Sequence, residues 1–181
     1  MVVRKNEIFN TVRGRGLQTA YFLDEGLFEE VQGVTTKGAD IIMVNVAEDE
    51  GKMIVAGDMV RPVADKDYTV EKVGTTNPNQ YMGTVVADPV GVPPTAEGMP
   101  LREATVEHMV AGSTYHLKLK DTAGAVTANV SYIVFDGEGF VPSATKVDGV
   151  VLIAKESAPA NSGKYIDAYC EDIAYVAPSW W

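Results

Sequence analysis

The stretch Thr114-Tyr115-His116-Leu117-Lys118-Leu119-Lys120, followed by Asp121-Thr122-Ala123-Gly124 and then by Val126-Thr127-Ala128-Asn129-Val130-Ser131-Tyr132-Ile133-Val134, carries the fold signal of the chain. Tyr115, Leu117 and Leu119 alternate with His116, Lys118 and Lys120. That period of two belongs to a half-buried strand, because successive side chains leave opposite faces. Val126, Ala128, Val130, Tyr132 and Val134 alternate with Thr127, Asn129 and Ser131 in the same way and read as a longer strand. Between them, Asp121 to Gly124 is turn chemistry: an Asp that bonds nearby backbone and a glycine able to take positive φ. The two strands are expected to form a hairpin.

The same pattern extends in both directions. Ile41–Val46, Met53–Val55, Met59–Val63, Tyr68–Val73, Met82–Ala87, Gly149–Lys155 and Lys164–Val176 are further strand candidates. Gly149–Lys155 is apolar on both alternating sets (Val150, Val151, Leu152, Ile153), which predicts a central strand covered on both faces. Turn signals recur at short intervals, at Glu50-Gly51, Ala56-Gly57-Asp58, Asp65-Lys66-Asp67, Asp136-Gly137 and Asp148-Gly149. Many short strands with this punctuation describe a mainly β protein, a β-sandwich or β-barrel. Helix is scarce. Asp24–Val31 reads as a short turn of one. Over Pro100–Val110, a proline start and Gly112 beyond the end fit a helix, but the β-branched Thr105, Val106 and Val110 tilt the reading to strand.

Residues 1–35 lack clear alternation and are expected as an extended N-terminal arm, residues 36–176 as the β body, and 177–181 as a C-terminal tail. Residues 88–100 hold four of the nine prolines and read as an ordered loop or linker. Val55-Ala56-Gly57-Asp58 is echoed by Val110-Ala111-Gly112-Ser113, so two related β-subunits are one reading of the body.

At 181 residues the chain is long enough to bury a substantial core. Its net charge of −10 is uneven: residues 1–16 carry Arg4, Lys5, Arg13 and Arg15 against Glu7, leaving −13 on the rest. An acidic body repels phosphates, so nucleic acid is not an expected partner. No stretch approaches the ~20 apolar residues of a membrane span, and Met1–Gly16 has no apolar block after its charges, so neither a membrane partner nor a secretory leader is expected. Synthesis in a cytoplasm follows as an expectation. Cys170, the single cysteine, excludes an internal disulfide and a cysteine-based zinc cluster. Alternation places it beside Ile166 and Ala168 on the inner face, as a small buried residue.

No motif for catalysis stands out, and an enzyme is not expected. Asp121-Thr122-Ala123-Gly124 matches the DxxG of a GTPase, but the phosphate-cradling loop that makes it work is missing from the sequence. Gly14-x-Gly16 has no third glycine, and no GxSxG elbow occurs. His108 and His116 are equidistant from Gly112, yet a hairpin pairing them would mix a core face with a solvent face. Glu48, Asp49 and Glu50 lack the spaced oxygen ligands of a calcium loop. No catalytic residue, metal or cofactor is therefore assigned. Tyr165, Tyr169 and Tyr175 share one face of the last strand, and Trp180-Trp181 ends the sequence after Pro178-Ser179.

Val55-Ala56-Gly57-Asp58-Met59-Val60, Met82-Gly83-Thr84-Val85-Val86-Ala87-Asp88 and the strand pair around Val110–Leu119 resemble tailed-phage capsid decoration (cement) proteins. In that family a glycine–aspartate strand entry is followed by a Gly-x-hydrophobic-Ala strand. The resemblance spans roughly residues 50–135 and leaves out residues 1–35 and the terminal tryptophans. It implies a small β-barrel or β-tulip body, a homotrimer or other homo-oligomer, and a virion location on the outer surface of an assembled capsid. The implied partner is the major capsid protein, whose joints the chain would brace. On that reading Arg4, Arg13 and Arg15 meet acidic grooves of the shell, while Trp180 and Trp181 enter an apolar socket. The alternatives are a tail-tube or head-completion protein of a virion, and an extracellular surface- or carbohydrate-binding β domain.

Overall fold

The computed structural model describes residues 9–13, 17–35, 38–45 and 53–174. They form thirteen strands and, among the described residues, no helix. One antiparallel sheet has the order β1 (Phe9–Arg13), β9 (Thr114–Lys118), β13 (Tyr165–Ala174), β12 (Gly149–Ala154), β10 (Tyr132–Phe135) and β11 (Phe140–Ser143). Five further strands close into a barrel in the order β2 (Gln18–Leu23), β6 (Thr69–Lys72), β5 (Met59–Pro62), β7 (Gly83–Val85) and β8 (Glu103–His108). The remaining two, β3 (Phe28–Thr35) and β4 (Gly38–Asn45), make a ribbon that pairs with neither sheet nor barrel. The mainly β architecture with a closed barrel is the one the alternation predicts.

The barrel closes through one parallel pair, Phe22↔Thr69 and Leu23↔Val70, and its other pairings are antiparallel. Its interior is apolar: Leu23, Ile54, Val60, Val70, Met82, Val85 and Val106 are buried there. Short strands bring backbones close. A Cβ at Gly83 would lie 2.1 Å from the Glu107 carbonyl oxygen, so only glycine lets β7 approach β8. Below the barrel end, the buried Glu25 carboxylate accepts from the Ile54 N–H (2.7 Å) and from Arg102 Nε (2.9 Å) and Nη2. Arg102 also lies 5.4 Å over the Phe28 ring. A fork matched to a carboxylate, with a third lone pair taken by a backbone N–H, is the kind of geometry a buried ion pair needs.

The sheet buries Tyr115, Leu117, Ile133, Phe135, Leu152, Ile166, Ala168 and Cys170 against the segment that links β6 to β7. Tyr81 of that segment meets Phe135 and Phe140 edge-on, at 5.8 and 6.3 Å between centroids. Asn79 fixes the joint. Its amide nitrogen donates to the Val150 carbonyl (2.8 Å), and its side-chain oxygen accepts from the Phe135 N–H (3.2 Å). β12 is covered on both faces over Gly149–Leu152, as its continuous apolar run predicts.

Several local expectations are corrected. β9 does not pair with the strand after it: its partners are β1 and β13. Asp121 to Gly124 does turn, with the Ala123 N–H on the Lys120 carbonyl, but Gly124 is not among the residues at positive φ. Asn129 takes φ 57° in a second turn, where the Ser131 hydroxyl accepts from the Thr127 N–H. That turn ends the apparent long strand and shifts its phase, so Ile133 and Phe135 face inward rather than Tyr132 and Val134. Within the expected arm, residues 18–23 instead form barrel strand β2, and Tyr21 and Leu23 are core residues. Tyr21 and Leu23, once the strand is paired on both edges, gain more from burial than from remaining in an arm. Asp24–Val31 holds no helical turn but an irregular link and the start of β3, and Met53–Val55 is irregular, with Ile54 held by Glu25. The ambiguous Pro100–Val110 segment does contain a strand, β8.

The echo in sequence is an echo in backbone. Val55–Asp58 and Val110–Ser113 each close a turn with a 3.1 Å bond from the last N–H to the first carbonyl, with glycine at φ 89° and 88°. Each glycine N–H then donates to a neighbouring strand, to Val85 and Cys170 respectively, and those residues donate back to Asp58 and Ser113.

Candidate functional site

Where the barrel meets the sheet, an open cavity of about 440 Å³ is left between Tyr21, Tyr68, His108, Val110, Ala111 and Ile173. Each wall has a local cause. β2 leads Leu17, Thr19 and Tyr21 past one side. The turn at Val110–Ser113 forms the second side and is clamped by Tyr115, whose Oη accepts from the Val110 N–H (2.7 Å) and donates to the His108 carbonyl (3.2 Å). Burial pushes the Tyr115 hydroxyl up to about 12, so it stays protonated and keeps both bonds.

The third side depends on a bulge. Pairing runs Leu152↔Cys170 and then Val151↔Asp172, so Glu171 is the extra residue in β13. The bulge reverses the alternation after Cys170 and packs Ile173 against the core and the cavity, where strict alternation would have put Asp172. Tyr68 stands at the rim, 55% exposed, with φ 46°. A bulky residue in the left-handed region costs on the order of 1–3 kcal/mol. Its carbonyl accepts from the Phe22 N–H (2.8 Å), which helps hold it there.

His108 is the one titratable group of this lining that burial perturbs downward. Its Nε2 lies 3.0 Å from the Tyr21 hydroxyl, and the two rings tilt at 46° with centroids 5.5 Å apart. Below its ordinary value of about 6.5, the imidazole is neutral at pH 7. The described lining therefore offers apolar walls and one neutral Tyr–His pair, with no carboxylate, amine or thiol. Such a surface suits an apolar or aromatic group.

A second surface is the proline-rich loop. Val90 and Val92 are each 74% exposed, and Met99 and Leu101 also face outward. The loop is nonetheless pinned. Val90 exchanges two hydrogen bonds with Glu103 of β8 (2.7 and 2.9 Å), and the Pro94 carbonyl accepts from the Phe28 N–H (2.8 Å). Ordering entropy is thus already spent in the free molecule, which favours docking by this loop.

The outer sheet face holds His116, Tyr165, Asp167 and Tyr169. The His116 ring stacks on Tyr165 (5.1 Å, 10°), with its Nδ1 2.9 Å from Asp167 Oδ1, and Lys155 lies 5.3 Å over Tyr169. The two histidines are therefore on different sheets. No group of three or more metal-ligating side chains converges among the described residues, and they include no helix long and apolar enough to cross a membrane. Cys170 is buried, and burial pushes its thiol up to about 12.

Of the residues singled out for partner binding, Arg13 ends β1 opposite Thr114, beside the turn that walls the cavity. Arg4, Arg15, Trp180 and Trp181 lie outside the described residues, as do Glu48–Glu50 and Tyr175. Comparison with protein-family models and with curated protein sequences gave no match. The cavity itself was missed in the sequence because its walls come from four separated segments and one of them depends on a bulge.

Proposed function

We propose that this chain is a non-catalytic structural protein of a virion, a capsid decoration protein that seats on the outer surface of an assembled shell and braces joints between major capsid subunits. The observation that carries the reading is the pinned loop with Val90 and Val92 turned to solvent. Exposed valines on an ordered backbone favour a partner surface, since burying both stabilises contact at little further entropic cost. The β3–β4 ribbon, paired with neither sheet nor barrel, offers a second element for contact, and repetition over a symmetric shell multiplies modest contacts. The resemblance of residues 50–135 to decoration proteins supports the same partner, and Arg4, Arg13 and Arg15 would meet its acidic grooves.

Co-sedimentation with empty shells assembled from the major capsid protein of the same genome tests this. Binding should saturate, and Val90→Asp with Val92→Asp should weaken it by about tenfold or more. Arg4→Gln with Arg15→Gln, which leaves β1 in place, should weaken it less and reduce its salt dependence. Failure of the unaltered chain to sediment with shells overturns the proposal. The carbohydrate-binding alternative gains little from the outer sheet face, where His116 stacks on one face of Tyr165 and Lys155 lies over one face of Tyr169.

A further inference from the structure

We infer that Phe22, Val90, Leu101 and Glu103 form one docking surface on the outside of the barrel, and that the protein surface it fits presents an arginine among apolar side chains. Strand pairing puts these groups together. Glu103 of β8 lies opposite Phe22 of β2 on one side and opposite Val90 on the other. Residues directly opposite in an antiparallel ladder project from the same face, with Cβ atoms about 5 Å apart. Their accessibility agrees, since Phe22, Val90 and Glu103 are all exposed. Arg102 turns inward to Glu25, which leaves Leu101 exposed beside Glu103. A carboxylate thus stands among three apolar side chains, on backbone held by the two hydrogen bonds between Val90 and Glu103. Val90 is already proposed as a shell contact; this surface rests on that reading of the loop as a contact and adds what the facing side carries.

The facing chemistry follows from charge. A partner that covers Phe22 and Val90 must also cover Glu103 between them, and a carboxylate taken out of water is costly unless a cation meets it. Among the described residues of the barrel and its loops, the cations are already spent. Arg61, Lys66, Lys72 and Arg102 pair with Glu71, Asp24, Asp58 and Glu25. Asp65, Asp67, Asp88 and Glu103 remain as exposed acids in excess of them. That surplus draws a basic protein surface and repels an acidic one. Of the two strongly basic side chains, arginine fits the spot better. Its planar guanidinium forks to a carboxylate, sheds water more readily than an ammonium and lies over an aromatic ring such as Phe22. Its aliphatic stem can then cover Val90 or Leu101.

The test uses the full chain, isotope-labelled for NMR, and two capped peptides: acetyl-Leu-Val-Arg-Val-Leu-amide and the same peptide with glutamate in place of arginine. The arginine peptide should shift the amides of residues 20–24, 88–92 and 101–105 saturably, and the glutamate peptide should not. Glu103→Gln and Phe22→Thr, both at exposed positions, should each weaken binding several-fold while the thermal midpoint stays within a few degrees. Glu156→Gln, which removes the same charge from an exposed position in the sheet half, should leave binding unchanged. Empty shells form a second arm, in which Glu103→Gln should weaken co-sedimentation several-fold. An equal response to both peptides, shifts confined to other residues, no saturable shift, or binding indifferent to Glu103→Gln overturns the inference. Shells that bind the chain equally well before and after Glu103→Gln overturn it too, while leaving the capsid reading in place. Shells that ignore the chain while the arginine peptide binds at these residues overturn the capsid reading and support the surface.

Discussion

Among the described residues, the barrel core is made of nine buried side chains, whereas the core of the six-stranded sheet gathers nineteen and takes four of them, Met59, Val73, Tyr81 and Met109, from the barrel side. The barrel core holds a single aromatic ring, Tyr21, among the described residues and is finished by an ion pair at one end, Glu25 with Arg102. The sheet has a broad face to cover and is finished by aromatic packing from Tyr81, Phe135 and Phe140. Where the two cores fail to merge, at Tyr21 and Met109, the cavity remains. The contrast separates the means of stability from the place of function: both cores are closed by local devices, and the features left for partners lie at their seam and on their loops.

That contrast can be broken at the barrel first. Glu25→Ala leaves the mostly buried Arg102 guanidinium without its counter-charge and should cost about 3–5 kcal/mol in urea unfolding. Replacing both partners by apolar residues should recover much of that loss, which would show that the barrel needs a filled end rather than a charged one. At the joint, Asn79→Ala orphans the Phe135 N–H and the Val150 carbonyl and should cost about 1–3 kcal/mol. Hydrogen exchange should then speed up in β10 and β12 more than in β2 and β8.

A smaller effect reads the seam. Burial lowers the folded imidazole of His108, so the unfolded chain takes up its proton first. Its contribution is complete above the ordinary value of about 6.5 and is lost as the pH falls below that towards the folded value. The stability advantage of the unaltered chain over His108→Gln should therefore shrink between about pH 8 and about pH 5. Smallest of all is the surface pair Arg61–Glu71, 2.8 Å apart, with side chains 30% and 38% exposed. Arg61→Ala should change stability by about 0–1 kcal/mol, a reference for what does not distinguish the two regions.

The sequence displayed strands wherever burial is one-sided or complete, and β5, β6, β9, β12 and β13 are legible for that reason. It concealed β2, because Thr19, Ala20, Tyr21, Phe22 and Leu23 sit in a closed barrel without a polar–apolar alternation. It misled at Val126–Val134, where Asn129 turns the chain inside a run that alternates perfectly on paper. Pairing partners were the least accessible, since β9 reaches forward fifty residues to β13 and back a hundred to β1 for reasons of tertiary packing alone. For the site, Cys170 and the proline loop were readable from local chemistry. The cavity was not, because a bulge at Glu171 decides which side chain completes it.

The most direct measurement is a cryo-electron microscopy reconstruction of empty shells incubated with the intact chain. The account predicts added density at fixed, symmetry-related positions on the outer surface, into which the barrel fits with Val90 and Val92 against a joint between capsid subunits. Bare shells at saturating concentration, or density that meets the shell through some other face, would contradict it.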